Sequence, residues 1–222
     1  MTSLDFGPLV LGGNTFGWTS SPDESHAVLD AFVDAGGRSI DTADVYSIWA
    51  PGNTGGDSER IIGDWLAARG RRDDVSIATK VFSLPDRPGL SPDNVRAAVD
   101  ESLTRLRTDH IDLYYAHRDD PDVPQEEYLG VFDELVTAGK IVEVGASNFD
   151  AARLRSAVEI ADAAGQARFS VAQDHFNLVE RDYADALAPT VAELGLVELP
   201  YYALASGFLT GKYRPGATVD ST

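Results

Sequence analysis

Seven short runs rich in β-branched and apolar residues alternate with six longer amphipathic runs along the 222 residues, and this alternation limits the fold more than any other feature. The strand-like runs are Pro8–Gly12, Ser39–Thr42, Val75–Lys80, Ile111–His117, Ile141–Ala146, Phe169–Gln173 and Leu196–Tyr201. The stretches between them space apolar residues by three and four, the period of a helix with one buried face. Helix starts are marked by Ser21-Pro22-Asp23-Glu24 and Ser91-Pro92-Asp93, where a capping hydroxyl precedes proline at the first helical position. Helix ends carry glycine, as in Asp34-Ala35-Gly36-Gly37 and Thr137-Ala138-Gly139-Lys140. The unit recurs at roughly thirty residues, the length of a strand–helix–strand crossover, and such alternation implies a parallel sheet clothed in helices.

An open doubly wound sheet and a (β/α)8 TIM barrel both satisfy that pattern. A dinucleotide-binding open sheet usually carries Gly-x-Gly-x-x-Gly after its first strand. Here Leu11-Gly12-Gly13-Asn14-Thr15-Phe16 lacks that spacing, which favours the barrel. A whole barrel has eight strands and typically about 250 residues. The seventh strand is followed only by Gly211-Lys212-Tyr213-Arg214-Pro215-Gly216 and a polar tail to Thr222, so the expected fold is a single barrel domain lacking its last strand and C-terminal helices. A longer parent chain, a natural fragment and closure through another copy each account for this, the first being the expectation. Strand edges one and seven would then be unpaired, an aggregation hazard.

Composition excludes several function classes. Hydrophobic content of 43% with 24% charged residues fits a soluble globular protein, and no apolar run approaches the ~20 residues that cross a bilayer. The start, MTSLDFGPLV, has no signal-peptide pattern, so a cytoplasmic protein is expected. Without cysteine there is no disulfide framework or thiolate metal site. A net charge of −18 disfavours nucleic acid and anionic membrane as partners. The Asp-rich, Lys-poor bias fits a GC-rich genome or a salt-rich cytoplasm.

Barrel chemistry sits at the carboxyl ends of the strands. Reading those positions gives Asp41-Thr42-Ala43-Asp44-Val45-Tyr46 after strand two, Thr79-Lys80 after strand three and Ala116-His117-Arg118 after strand four. An acid, a phenol, an amine and an imidazole on one rim suit carbonyl reduction, in which negative charge grows on the carbonyl oxygen. Tyr46 is the candidate general acid, Lys80 its tuning cation, Asp41 the anchor of Lys80, and His117 the group that orients the carbonyl oxygen. Asp41 could instead cap a helix, and Asp44 competes for that job. Trp18, Trp49 and Phe82 lie just beyond strands one to three and either line an apolar substrate pocket or pack the loops. Ser47–Asp57 reads as a long loop. His26 and His110 read as structural or surface groups, and a pocket role for His175 is not preferred. No histidine pair has metal-ligand spacing, so no metal is expected.

With the ordered set DTADVYS, IATK and DLYYAHRDD in place, the chain resembles the aldo-keto reductase family, in the branch that holds potassium-channel β subunits and bacterial reductases. Further motifs carry the resemblance along almost the whole chain: GASNF (Gly145–Phe149), VAQDHFN around Gln173, and PYYALASGFLTGKY (Pro200–Tyr213). The resemblance implies the Asp41-Tyr46-Lys80-His117 tetrad and a nicotinamide cofactor, NADPH rather than NADH. It implies that Ser147, Asn148 and Gln173 hold the nicotinamide amide, that Tyr201 stacks on its ring, and that Thr15 and Phe16 touch its ribose. Asp41 belongs to that cofactor-binding set as well. The backbone of Leu204, Ala205, Ser206 and Gly207 and the side chain of Lys212 are implied to lie along the pyrophosphate. Ala203 departs from the family by standing where many relatives carry proline, and the segment that selects NADPH in the family would lie beyond Thr222. The implied partner is a small-molecule carbonyl substrate, and homo-oligomers are compatible with the fold. The main expectation is an NADP-dependent aldehyde or ketone reductase; the rivals are a nucleotide-sensing regulatory subunit on the same fold and an inactive fragment.

Overall fold

A computed structural model describes residues 2–214 and Gly216; Met1, Pro215 and the polar tail from Ala217 to Thr222 lie outside the described residues. Seven parallel strands form one sheet in the order β1-β2-β3-β4-β5-β6-β7, each hydrogen-bonded to its neighbour in sequence. They are β1 (Val10–Gly12), β2 (Ser39–Asp41), β3 (Ser76–Val81), β4 (Ile111–Ala116), β5 (Ile141–Ser147), β6 (Phe169–Gln173) and β7 (Val197–Glu198). The helices between them are α1 (Pro22–Asp34), α2 (Asp57–Arg69), α3 (Pro92–Leu106), α4 (Gln125–Thr137), α5 (Ala151–Ala164), α6 (Asp182–Ala186) and α7 (Ala188–Leu194). A sheet in which every strand pairs with the next curls in one direction. The curl brings β6 opposite β2, where Gln173 Nε2 donates to Asp41 Oδ1 at 2.9 Å across the interior. The fold is thus a curled, partial (β/α) barrel of seven strands, with β1 and β7 each paired on one side only among the described residues.

Strand alternation divides the side chains between two apolar clusters. Outward residues such as Ile40, Ile77, Tyr114 and Ala116 pack with Val95, Val99, Leu106, Tyr128 and Phe132 from the helices. On α3 the buried positions Val95, Ala98, Val99, Ser102 and Leu106 follow the helical period that the sequence displays. Inward residues Ala78, Leu113, Tyr115 and Val171 form a second cluster with Phe6, which plugs the amino end of the barrel. This interior is a packed core: the cavity bounded by Phe6, Val10, Leu113 and Tyr115 measures about 10 Å³.

The capping patterns act as read. Ser21 accepts from the Glu24 backbone and Glu24 returns the bond, a complete capping box. Ser91 accepts from Asn94 N at 3.4 Å. Most strand ends differ from the sequence reading by one or two residues, and the two larger differences lie after β6. The run Leu196–Tyr201 forms a strand only over Val197–Glu198, with Tyr201 in an isolated bridge to His175. The helical run before it is two helices, because Pro189 lacks the N–H a continuous helix needs, and the chain breaks at Leu187 (φ −120°, ψ −35°). The expected six helices are therefore seven.

Candidate active site

Lys80 is the centre of the carboxyl rim. The alternation of β3 turns Ile77, Thr79 and Val81 outward and Lys80 inward, and no part of its side chain is exposed. An ammonium without water must be answered by the protein. Three groups do so: Asp41 Oδ2 at 2.5 Å, the Thr42 carbonyl at 2.8 Å and the Tyr46 hydroxyl at 3.1 Å. Burial pushes Lys80 down, but the Asp41 carboxylate and Tyr46 outweigh it and hold the amine above its ordinary value. Asp41 is therefore no helix cap; it splits its oxygens between Lys80 and Gln173.

Tyr46 stands on a turn after β2. Its oxygen accepts from Lys80, which leaves the phenolic proton free to point elsewhere. Burial pushes the phenol up, Lys80 pulls it down and Asp41 pushes it up again, so the net shift is upward. The sequence expectation that Lys80 lowers this phenol holds for the direction of that one contribution and not for the sum. The His117 ring lies edge-on to Tyr46, centroids 6.2 Å apart. Burial, with Lys80 and Arg118 nearby, pushes His117 down to about 3, so its imidazole is neutral. Its Nδ1 is buried without a partner among the described residues.

The residues read as a cofactor shelf converge beside this group. Ser147 Oγ donates to the Gln173 carbonyl at 2.7 Å, and Asn148 Nδ2 donates to Ser147 Oγ at 2.8 Å and to the His117 carbonyl at 3.0 Å. Tyr201 reaches Asn148 Oδ1 through its hydroxyl at 2.9 Å and stacks on His175, centroids 5.3 Å apart at 10°. Beyond it the backbone takes positive φ at Ala205, Ser206 and Gly207, and the Ala205 and Gly207 N–H groups bond the Tyr202 and Leu204 carbonyls. Lys212 Nζ lies 3.4 Å from where a Cβ on Gly207 would stand, which places the ammonium beside this turn. Thr15 and Phe16 sit in the turn after β1, where the Thr15 carbonyl accepts from Trp18 N and the Phe16 side chain is buried in the core.

Trp18 and Trp49 meet edge to face at 5.5 Å, and Trp49 lies 6.2 Å from Tyr46, so three aromatic rings run from the rim to the phenol. Asn53 Nδ2 bonds the carbonyls of Gly17 and Ser47, and Ser47 Oγ bonds the Phe16 carbonyl at 2.6 Å, which pins the two loops together. Phe82 packs against the main core with a strained φ of 141°. His26 bonds the Ile61 carbonyl and His110 bonds Asp109, both away from the rim. Among the described residues no group of three His, Asp or Glu side chains could hold a metal. Nor is any described helix long and apolar enough to cross a membrane. The sequence reading passed over Ser58 and Glu59, which tie β1, β2 and β3 together from the start of α2; their signal was the Gly-Asp-Ser-Glu run that opens this helix.

A (β/α) barrel with a buried lysine joined to an aspartate and a tyrosine on its carboxyl rim defines a narrow class. The chain belongs to the Aldo/keto reductase family, whose pattern matches residues 8–222. It is 38% identical to aldo-keto reductase str7 of Strobilurus tenacellus over 90% of this chain and 56% of that protein. It is 34% identical to protein tas of Escherichia coli (strain K12), over 97% of this chain and 70% of tas. To the aryl-alcohol dehydrogenase [NADP(+)] of Phanerodontia chrysosporium it is 31% identical, over 92% and 57% respectively. The chain thus spans little more than half the length of two of these three relatives.

Proposed function

We propose that the protein of this chain is an NADP-dependent oxidoreductase that reduces an aldehyde or ketone to the alcohol, with Tyr46 as general acid. The observation that carries the reading is the arrangement about Lys80: a fully buried ammonium bonded to Asp41 Oδ2 and to the Tyr46 oxygen. Because Tyr46 accepts from Lys80, its own proton is available to an oxygen on the open side, where His117 also stands. The growing alkoxide is far more basic than a phenolate, so the proton moves toward it even from a phenol shifted upward by burial. The positive charge of Lys80 then stabilises the phenolate left behind. Neutral His117 serves as a hydrogen-bond donor that fixes the carbonyl oxygen and does not compete as the acid.

The nicotinamide coenzyme supplies the hydride when bound. The residues fit such a group: Ser147, Asn148 and Gln173 present amide and hydroxyl functions beside Tyr201, and the Lys212 ammonium beside Gly207 suits a diphosphate. The family membership and the printed name of the Phanerodontia chrysosporium relative support NADP as the cofactor. The Trp18–Trp49 wall supports a substrate with an apolar face.

Titration of the protein with NADPH, following the fluorescence of Trp18 and Trp49, tests the cofactor; NADH serves as the comparison. In Tyr46→Phe, turnover of a carbonyl panel is expected to fall by on the order of a hundredfold or more, with NADPH binding retained. Turnover equal to the parent would remove Tyr46 as the acid.

A further inference from the structure

Behind the proposed tetrad, on the helix side of the sheet, lies a second polar layer. The strand period creates it: Thr79 precedes Lys80 on β3 and Tyr114 precedes Tyr115 on β4, so each turns away from the barrel interior. Glu59 on α2 is fully buried, takes the Thr79 hydroxyl at 2.6 Å and pairs with Arg105 Nε of α3 at 2.6 Å. Asp44, on the turn two residues before Tyr46, is 1% exposed and faces this layer. Among the described residues its Oδ1 has no hydrogen-bond partner, and the buried Tyr114 hydroxyl has none either. Gly55 presses on the Asp44 backbone so closely that a Cβ there would stand 2.9 Å from the Asp44 carbonyl, and a Cβ on Gly56 would stand 2.4 Å from Arg105 Cδ. The chamber is closed, and the carboxyl inside it is used by nothing in the proposed chemistry.

A buried carboxylate with one unpartnered oxygen beside a second carboxylate is costly, whereas the neutral acid is much less so. We propose that Asp44 is a positioning residue for the Tyr46–Lys80 pair: as a neutral carboxylic acid it lets the 42–46 turn seat Tyr46 against Lys80, and its ionisation unseats that turn. The proposal rests on the reading of Tyr46 as the acid. The turn is anchored at Thr42, whose N–H bonds the Ala78 carbonyl and whose hydroxyl bonds Ser58, each at 2.8 Å, and is held by longer bonds beyond it, Asp44 N to the Lys80 carbonyl at 3.2 Å and Tyr46 N to the Ala43 carbonyl at 3.1 Å. Burial and the Glu59 charge push Asp44 up, Arg105, Arg87 and the Val45 N–H pull it down, and the balance stands at about 7. The charged and titratable groups around it are Glu59 from α2, Arg105 from α3, Arg87 from the loop before α3 and Tyr114 from β4, with Glu101 holding both arginines from the far side.

Two measurements test this on the protein and its Asp44→Asn variant, which keeps the shape and fixes the neutral state. The first is kcat/KM for NADPH-dependent carbonyl reduction from pH 5 to pH 9. The parent is expected to lose activity severalfold as pH rises through 7, and Asp44→Asn to lose that fall; the same fall in both overturns the proposal. The second needs no cofactor: the ultraviolet phenolate titration of Tyr46, isolated by subtracting Tyr46→Phe in each background. Asp44→Asn is expected to lower the Tyr46 midpoint by about one pH unit, a tenfold shift toward phenolate, because the Lys80 contact persists into alkali. A purely structural Asp44 would alter thermal stability and leave that midpoint in place, which overturns the proposal. Absence of turnover in the parent at every pH counts against the reading of the site, and the phenolate midpoint alone then decides Asp44.

Discussion

Lys80 has its charge maintained by neighbours that burial alone would have argued against, and the same burial has the opposite consequence at His117. There the listeners are cations: with Lys80 and Arg118 nearby and little water, the imidazolium has nothing to balance it. The folded-state value of about 3 lies below the ordinary 6.5, so the ring is neutral in the folded protein throughout the physiological range. The nuclear magnetic resonance signals of the His117 ring are expected to stay flat from pH 8 to pH 5, whereas a titration centred near the ordinary value would remove the neutral-donor role. By linkage, this group favours folding fully above its unfolded value, and that contribution is lost as pH falls below 6.5. The clustering of Asp41, Tyr46, Lys80 and His117 was legible because barrel rims are found by looking at strand ends. Asp44 and Glu59 were not: their importance comes from which side of the sheet they face and from the helix packed over them. A linear motif displays neither.

Helix packing makes the two mid-helix glycines opposites. Gly63 sits where α2 crosses α3, and a Cβ there would lie 2.1 Å from the Arg105 carbonyl and 2.8 Å from the Leu106 carbonyl carbon. Gly130 on α4 has open space, with Gln166 Nε2 nearest at 3.8 Å. Gly130→Ala is expected to stabilise the fold by about 1 kcal/mol, the helix-propensity difference. Gly63→Ala is expected to destabilise it by about 1–3 kcal/mol, since backbone must move to admit the methyl. Urea unfolding of both variants checks the pair, and equal effects of one sign would contradict the contact at the α2–α3 crossing. The elements were legible where local chemistry decides them, as at the Ser21 capping box or the glycine ends of α1 and α4. They were less so between β6 and β7, where the hydrophobic period continues across Pro189 although the backbone does not. The ends of β7 depend on pairing with β6, which a single sequence displays only indirectly.

The molecule as a whole carries a net charge of −18, and most of its ion pairs lie at the surface, such as Arg107–Asp64 and Arg155–Glu193. Exposed pairs contribute little each, while like-charge repulsion acts over the whole surface and is screened beyond about 10 Å at 0.1 M salt. Thermal midpoints are therefore expected to rise between 20 mM and 500 mM sodium chloride; a fall would mean that the pairs outweigh the repulsion. The bond from Gln173 to Asp41 has a consequence of another kind. Its partners are 132 residues apart, yet Asp41, Tyr46, Lys80 and His117 all precede β5 and β6 in the chain. During synthesis, which folds amino-terminal elements first, those four side chains emerge long before β6 does. Until β6 arrives, one oxygen of the aspartate that steadies the lysine lacks its cross-barrel donor. A chain made only as far as β4 thus holds Asp41, Tyr46, Lys80 and His117, and the curled sheet adds the last partner of Asp41.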